Sequence, residues 1–278
     1  MDVADVELAK RILSEVNYYR LSGYALQFRD KANPDDYVPG TKFENVYRLH
    51  QFDDELRHIL KPHLDTIELY ARTHVAYGFS TIKCQNPPHD QHYESANFYN
   101  KDSHNNIITL SLDREMKNSK DSLFVIHHAA KYSGRMPLWV IVELLSFTNL
   151  SKLYSAMYNS EKNVIAANMG TTREILKNHL QCLANLRNKV AHAGRLYNVV
   201  YNPPAKLGYA FLKQNKLVKA NTLFAYLLAL MRRLPSTSDR QLLATDIMNL
   251  LTQYANCVEL SLIGFPSDYT KCLNNEIV

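Results

Sequence analysis

The chain has 278 residues, 46% of them hydrophobic and 21% charged, with 8 Gly, 10 Pro and a formal net charge of +5. These values exclude collagen-like, Pro-rich and wholly disordered chains, and the length allows one large domain or two small ones. The longest mainly apolar stretches, Leu138–Leu145 and Leu223–Met231, are near half the roughly 20 residues of a membrane helix. The acidic start, Met-Asp-Val-Ala-Asp-Val-Glu, lacks the basic region and apolar stretch of a signal peptide. A soluble, cytoplasmic protein that engages no membrane is expected.

Helix signals dominate along the chain. Leu8, Ile12, Val16 and Tyr19 recur at helical spacing, with Gly23 as a stop. Phe43 to Tyr77 reads as a long amphipathic region carrying Val46, Leu49, Phe52, Leu56, Leu60, Leu64, Ile67 and Ala71, broken or kinked at Pro62. Ser80 to Asn106 is polar, contains Pro87-Pro88, and is expected to be a long surface loop. A short helix is expected over Leu123 to Tyr132, and a longer buried one over Leu138 to Tyr158 after Pro137. Thr171-Thr172-Arg173-Glu174 matches a capping box with Thr171 as N-cap. The helix it opens buries Leu176, Leu180, Leu183 and Val190 and ends near Gly194. Tyr197 to Tyr209 suits a turn or small hairpin, and helices near Asn221–Leu234 and Ser238–Glu259 close the fold. The class is all-α, a multi-helix bundle with room for one small β-hairpin.

The charge is unevenly distributed. From Ile175 to Ser238 there is no Asp or Glu, while ten basic residues occur: Lys177, Arg187, Lys189, Arg195, Lys206, Lys213, Lys216, Lys219, Arg232 and Arg233. The other 22 basic residues face 27 acidic ones, so a +10 segment is joined to a remainder of −5. Such a field attracts and orients a polyanion.

Most enzyme templates are absent: no G-x-G-x-x-G, no G-x-x-x-x-G-K-[ST], no G-x-S-x-G and no H-E-x-x-H. The four cysteines stand singly, so no redox centre or zinc site is expected, and Cys84…His89…His92 lacks a fourth ligand at zinc-finger spacing. His127 and His128 are adjacent and would point in different directions from a helix, so one of them is expected to be buried and hydrogen-bonded. No metal and no cofactor are expected.

An Arg followed by His after four to six residues occurs three times, as Arg57…His63, Arg173…His179 and Arg187…His192. Composition alone predicts roughly 1.7 chance matches, so context has to decide between them. Only Arg187 is followed by Asn, and only this copy lies at the end of a helix inside the acid-free segment. On an ideal helix Asn185, Asn188 and His192 share one face, and the long side chain of Arg187 reaches around to them. Imidazole is the side chain whose ordinary titration lies nearest neutrality, which suits proton transfer.

Arg187-Asn188-Lys189-Val190-Ala191-His192 resembles the R-N-x-x-x-H signature of the HEPN superfamily (higher eukaryotes and prokaryotes nucleotide-binding domains). More specifically, the chain resembles the bacterial abortive-infection Abi-like family of AbiD/AbiF type. Asn17-Tyr18-Tyr19-Arg20-Leu21-Ser22-Gly23-Tyr24 is similar to that family's N-terminal block. Phe52-Asp53-Asp54-Glu55-Leu56-Arg57, Ile67-Glu68-Leu69-Tyr70-Ala71-Arg72-Thr73 and the Pro137-Leu138-Trp139 block follow in order, and Ala191-His192 with Arg195-Leu196-Tyr197-Asn198 completes the set. Thr148 stands where the family often has Gly, and Val190 where it often has Cys. Gly194 replaces a Tyr found in members that are targets of nucleotidyl transfer.

The resemblance covers about Asn17 to Asn202. It implies a helical core over 17–202 with a C-terminal helical extension, 203–278, packed on it. It also implies a metal-independent endoribonuclease in phage defence, with a homodimer completing a composite site. His192 is the implied general acid/base, Arg187 stabilises phosphate charge, and Asn188 orients His192 or a phosphate oxygen. Lys189, Arg195, Lys213, Lys216, Lys219 and Arg20 are the expected phosphate contacts. Tyr19 and Tyr197, with Tyr18 and Tyr24, are the candidates to stack bases. RNA is the expected partner, as substrate and as a regulatory small RNA. Two other readings are a non-catalytic RNA-binding component and a toxin restrained by a protein or RNA antitoxin.

Overall fold

The computed structural model describes residues 1–277, which contain helices and no β-strand. Helix α1 (Val6–Glu15) starts at Asp5, whose carboxylate accepts the Leu8 N–H, and α2 (Tyr18–Ser22) starts at Asn17, which does the same for Tyr19. Helix α3 (Phe43–Lys83) is the spine, 41 residues long, or about 60 Å. Its seam from Val46 through Leu49, Phe52, Leu56, Leu60, Leu64, Ile67, Ala71, Val75 and Phe79 is buried throughout.

Pro62 lies inside α3 and does not end it. A proline in mid-helix costs about 3 kcal/mol, but each fully buried side chain on either side contributes about 1.5–3 kcal/mol. Leu60 and Leu64 flank the proline with almost no exposure, so burial wins and the helix continues.

The stretch after α3, read as a surface loop, exposes about half of its residues but is pinned to the core at intervals. Cys84, His92, Phe98 and His104 are buried, and Phe98 stacks on Phe79 at 4.8 Å. His104 Nε2 donates to the His92 carbonyl at 2.7 Å. Two 3-10 turns and α4 (Lys101–His104) carry these anchors, and a π-helical turn, Asn105–Ser111, leads into α5 (Leu112–Asn118). Polarity along the chain concealed one apolar anchor and a set of hydrogen-bonded imidazoles.

Helix α6 (Leu123–Tyr132) buries only Val125, so neither His127 nor His128 is buried, contrary to the expectation for one of them. The single helix expected over Leu138 to Tyr158 is two, α7 (Leu138–Leu144) and α8 (Phe147–Ala156). Leu145 is extended, and Ser146 Oγ accepts the Asn149 N–H to start α8 afresh.

After α9 (Asn159–Asn168) comes α10 (Arg173–Ala191), capped by Thr172 rather than Thr171 and without a side-chain cap bond. The Thr171 N–H is already bonded to the Ala166 carbonyl at the end of α9, so the expected capping box does not form. No hairpin follows α10. The chain runs extended past residues 220–221, with Tyr201 and Ala205 donating single backbone bonds to Asn221 and Ala220. Helices α11 (Tyr209–Gln214), α12 (Leu223–Met231), α13 (Thr237–Gln253) and α14 (Tyr269–Asn275) complete the fold. Every residue of α12 is buried, and α12 packs on α10 while α13 packs on α3, within one apolar cluster that runs from Tyr24 to Leu273.

His63 and His179, the histidines of the other two Arg…His matches, both lie in the core. His179 has no exposure and donates from Nε2 to the Lys206 carbonyl at 2.8 Å, and burial holds its pKa down at about 4. Burial likewise holds His92 at about 3. In the unfolded chain both rings take a proton near pH 6.5, whereas in the fold they do not until the pH is much lower. Stability is therefore present in full above pH 6.5 and is lost as pH falls from 6.5 toward 4. Urea midpoints measured across that window should decline, and His179→Gln, which keeps a donor toward Lys206, should flatten the decline.

Candidate active site

Helix α10 stops at Ala191, three residues before Gly194, and the reason lies in its C-terminal bonds. His192 is the C-cap, with its N–H on the Asn188 carbonyl. Gly194 N–H closes on the Lys189 carbonyl at 2.6 Å and Ala193 N–H on the Val190 carbonyl at 3.2 Å, the paired bonds of a Schellman turn. That turn requires a left-handed residue, and here it is Ala193, at φ 50°, instead of the glycine after it. A non-glycine residue in that region costs about 1–2 kcal/mol, so the surroundings have to hold it. Gly194 has a different role: a Cβ there would sit 3.2 Å from the Lys189 carbonyl.

Three arginines hold this turn. Arg20 donates to the Ala193 carbonyl, Arg57 Nη1 donates to the Gly194 carbonyl at 3.3 Å, and Arg195 donates back to the Gly23 carbonyl. Beneath them lies Asp53 of α3, with no exposure. Its carboxylate accepts the N–H groups of Leu196 and Tyr197 at 2.8 and 2.9 Å and the Tyr24 hydroxyl at 2.8 Å, and it pairs with Arg57 at 3.2 Å. Burial raises the Asp53 carboxyl while these donors work to lower it. Burial, and after it the same carboxylate, pushes the Tyr24 phenol up. Three blocks distant in sequence, around residues 17–24, 52–57 and 191–197, thus meet at one carboxylate.

His192 is exposed at the edge of a cleft of about 800 Å³ lined by Tyr19, Arg20, Tyr24, Gly23 and Arg195. Arg187 does not line that cleft. It faces a small cavity of about 60 Å³ beside Lys61 and Asp65, and its Nε pairs with Glu68 Oε2 of α3 at 3.0 Å. Glu68 is itself buried, and its other oxygen pairs with Arg72, which also donates to the Val142 carbonyl of α7.

The shared polar face expected of Asn185, Asn188 and His192 is not formed. Asn188 Nδ2 donates to Thr148 Oγ1 at 3.0 Å and Asn185 Nδ2 to the Asn202 carbonyl at 2.7 Å. His192 leaves the helical stripe because it is the cap. Thr148, the residue at a position where glycine is often found, is the one that takes the Asn188 side chain.

The expected nucleic-acid contacts divide in the same way. Tyr19 and Tyr18 are exposed, at 84% and 69%, whereas Tyr24 and Tyr197 are in the core. The Tyr197 hydroxyl donates to Gln27 Oε1 and accepts the Glu259 N–H, so its ring is not offered to a base. Lys189 Nζ lies 5.8 Å over the Tyr201 ring. Within the acid-free segment Arg187 and Arg232 are paired with Glu68 and Glu276, and Arg233 is buried on the Met169 carbonyl. Five exposed lysines remain, Lys177, Lys206, Lys213, Lys216 and Lys219, and among the described residues none of them forms an ion pair.

Sequence reasoning missed Asp53, Arg57 and Glu68 as parts of the site. A detectable signal existed: Asp53 and Glu68 directly follow the core residues Phe52 and Ile67 on the apolar seam of α3, and each has an Arg four residues on. Among the described residues no group of three or more His, Cys, Asp or Glu is arranged to hold a metal ion.

A family model described as Abi-like protein matches residues 11–198, more than half of the chain. No curated protein and no solved structure matches.

Removing the shared carboxylate leaves two buried backbone N–H groups and the Tyr24 hydroxyl without their acceptor, and Arg57 with only Asp54 and the Gly194 carbonyl. Asp53→Ala is therefore expected to cost about 3–5 kcal/mol in urea denaturation. Tyr24→Phe, which removes one donor, is expected to cost about 1 kcal/mol. Milder variants at Asp53 should show faster amide hydrogen exchange at Leu196 and Tyr197 before any global loss.

Proposed function

Because the chain belongs to the Abi-like protein family, an abortive-infection family of phage defence, we propose that it arrests infected cells as a metal-independent endoribonuclease of the HEPN type. The observation that carries this reading is the exposed imidazole of His192, capping α10 in a cleft walled by two guanidiniums and an exposed tyrosine ring. The RNA 2′-hydroxyl attacks the adjacent phosphorus while an imidazole takes its proton. The P–O5′ bond breaks, the 5′ oxygen gains a proton, and the products are a 2′,3′-cyclic phosphate and a 5′-hydroxyl end. Because the nucleophile belongs to the substrate, the step needs an acid/base group and charge stabilisation but no activated water.

Arg187 has its Nε committed to Glu68, which leaves its terminal nitrogens to meet phosphate charge. Glu68 is a positioning residue for it, held in turn by Arg72. Arg187 and His192 of one chain line different cavities, which favours a homodimer in which two copies of the motif form one site. Tyr19 offers a stacking face for a base beside the cleft, worth about 1–3 kcal/mol. The unpaired lysines on and beside α11, at 213, 216 and 219, supply the electrostatic attraction for the strand.

His192→Ala and Arg187→Ala are each expected to lower cleavage of single-stranded RNA in EDTA by about 10²-fold or more. Cleavage equal to the starting protein in both variants overturns the assignment. RNA binding without cleavage by the unaltered protein points instead to a non-catalytic RNA-binding role. Charge reversal at Lys213, Lys216 and Lys219 should weaken binding and lower the magnitude of the slope of log K against log salt by about 2 or more on a single strand. A monomer by sedimentation at micromolar protein, in the presence of cleavage, counts against the composite site.

A further inference from the structure

On a different face of the molecule, a cavity of about 570 Å³ opens between the turn after α3 and helix α6. It is within the size range of small-molecule sites and shares no lining residue with the cleft at His192. We propose that it binds a small planar phosphorylated molecule with the chemistry of a nucleoside monophosphate.

One wall comes from α6. His127, His128 and Tyr132 form a cluster of rings, with centroids 5.3, 5.8 and 5.5 Å apart. The opposite wall is the turn carrying His89 and Asp90. His89 is left-handed at φ 64°, and Ser133, next to Tyr132, is left-handed at φ 52°. Ser133 takes that conformation as the residue that ends α6, whereas His89 lies in a turn outside any helix, and strained residues of that kind collect at ligand sites. His89 is held there by its N–H on the Asn86 carbonyl and its Nδ1 on the Cys84 carbonyl, both at 2.8 Å.

The hydrogen bonds also set what the walls present. A carbonyl only accepts, so His89 Nδ1 carries its proton, and so does His128 Nδ1, which donates to the Phe124 carbonyl at 2.7 Å. With Nδ1 carrying its proton, Nε2 is the ring nitrogen left to meet a ligand, and in the tautomer these bonds select it accepts a hydroxyl or amino donor. Arg135 supplies the complementary charge. Its Nε pairs with the nearly buried Asp90, and its guanidinium lies 4.5 Å over the Tyr93 ring. Asp90 is thereby neutralised, while the terminal nitrogens of Arg135 have no hydrogen-bond partner among the described residues. A planar fork of donors suits phosphate oxygens.

Aromatic faces, two acceptors and one free guanidinium fork together define the ligand. An inorganic anion leaves the rings and the Nε2 acceptors unused, and a neutral planar molecule leaves Arg135 unused. A phosphate joined to a hydroxylated sugar and a flat base uses all three.

Titration calorimetry on the full chain with adenosine monophosphate, adenosine and inorganic phosphate tests this. Adenosine monophosphate should bind with a Kd below about 1 mM and more tightly than either fragment. Arg135→Ala should weaken it by about 10- to 100-fold, the range of a charge-assisted hydrogen bond. Since Arg135→Ala also unpairs Asp90, the exposed His127→Ala and Tyr132→Ala serve as second variants and should each weaken binding while melting like the starting protein. His192→Ala should bind the nucleotide unchanged. A 5′-phosphorylated trinucleotide that displaces the nucleotide identifies the ligand as an RNA end, and one that does not identifies it as a free nucleotide. No binding at 1 mM, equal affinity for inorganic phosphate, or loss in His192→Ala instead of the cavity variants overturns the proposal.

Discussion

A carboxylate with no contact with solvent stands on the apolar seam of the longest helix, and the candidate active site is built from the groups that satisfy it. Left alone, a buried charge of this kind costs several kcal/mol. Asp53 avoids that cost by collecting two backbone N–H groups from the segment after α10, one phenol from the N-terminal block and one guanidinium from its own helix. The two backbone donors come from irregular chain after α10, where no helix supplies them with an acceptor. The result is that the irregular backbone at 193–197 has a defined position, and with it the left-handed Ala193 and the imidazole of His192 before it.

A second buried carboxylate, Glu68, repeats the arrangement further along the same helix, pairing with Arg72 and Arg187. The two acids divide the motif between them. One holds the backbone that carries His192, and the other holds the side chain of Arg187. Because both acids are on α3, the spacing between the two motif groups is set by a rigid helix and not by the loop. Buried pairs of this type specify geometry more than they add stability. Here that specification keeps Arg187 out of the His192 cleft, which is why a second copy of the chain enters the functional reading.

The electrostatic contrast along the sequence is reshaped in the same way. Ten basic residues in succession without an acid suggest one strongly positive surface. Folding pairs Arg187 and Arg232 with acids from distant parts of the chain, buries Arg233 and turns Arg195 onto a backbone carbonyl. Five lysines remain exposed and, among the described residues, outside any ion pair. The field is therefore weaker than the linear count implies and belongs to lysine, a mobile point charge, rather than to arginine, a fixed fork.

The helical class, the long spine and the buried faces of α10 and α12 were legible from periodicity and local context. These depend on short-range spacing, which a sequence displays directly. His63 and His179 are core residues, and no spacing rule could separate them from His192, but their place in mid-helix beside buried apolar residues was a usable hint. The capping box failed because the Thr171 N–H was taken by the preceding helix, and the 84–104 stretch is pinned to the core, beyond what its polar composition shows, by one Phe and three tethered side chains. Which tyrosines face solvent, where Asn188 points and how many of the ten cations stay free were decided only by tertiary structure. In each of these the outcome depends on a partner more than thirty residues away, such as Thr148 for Asn188, Gln27 for Tyr197 and Glu276 for Arg232. Local sequence determined the helices and the motif; the competition of buried polar groups for distant partners decided what the motif presents to a ligand.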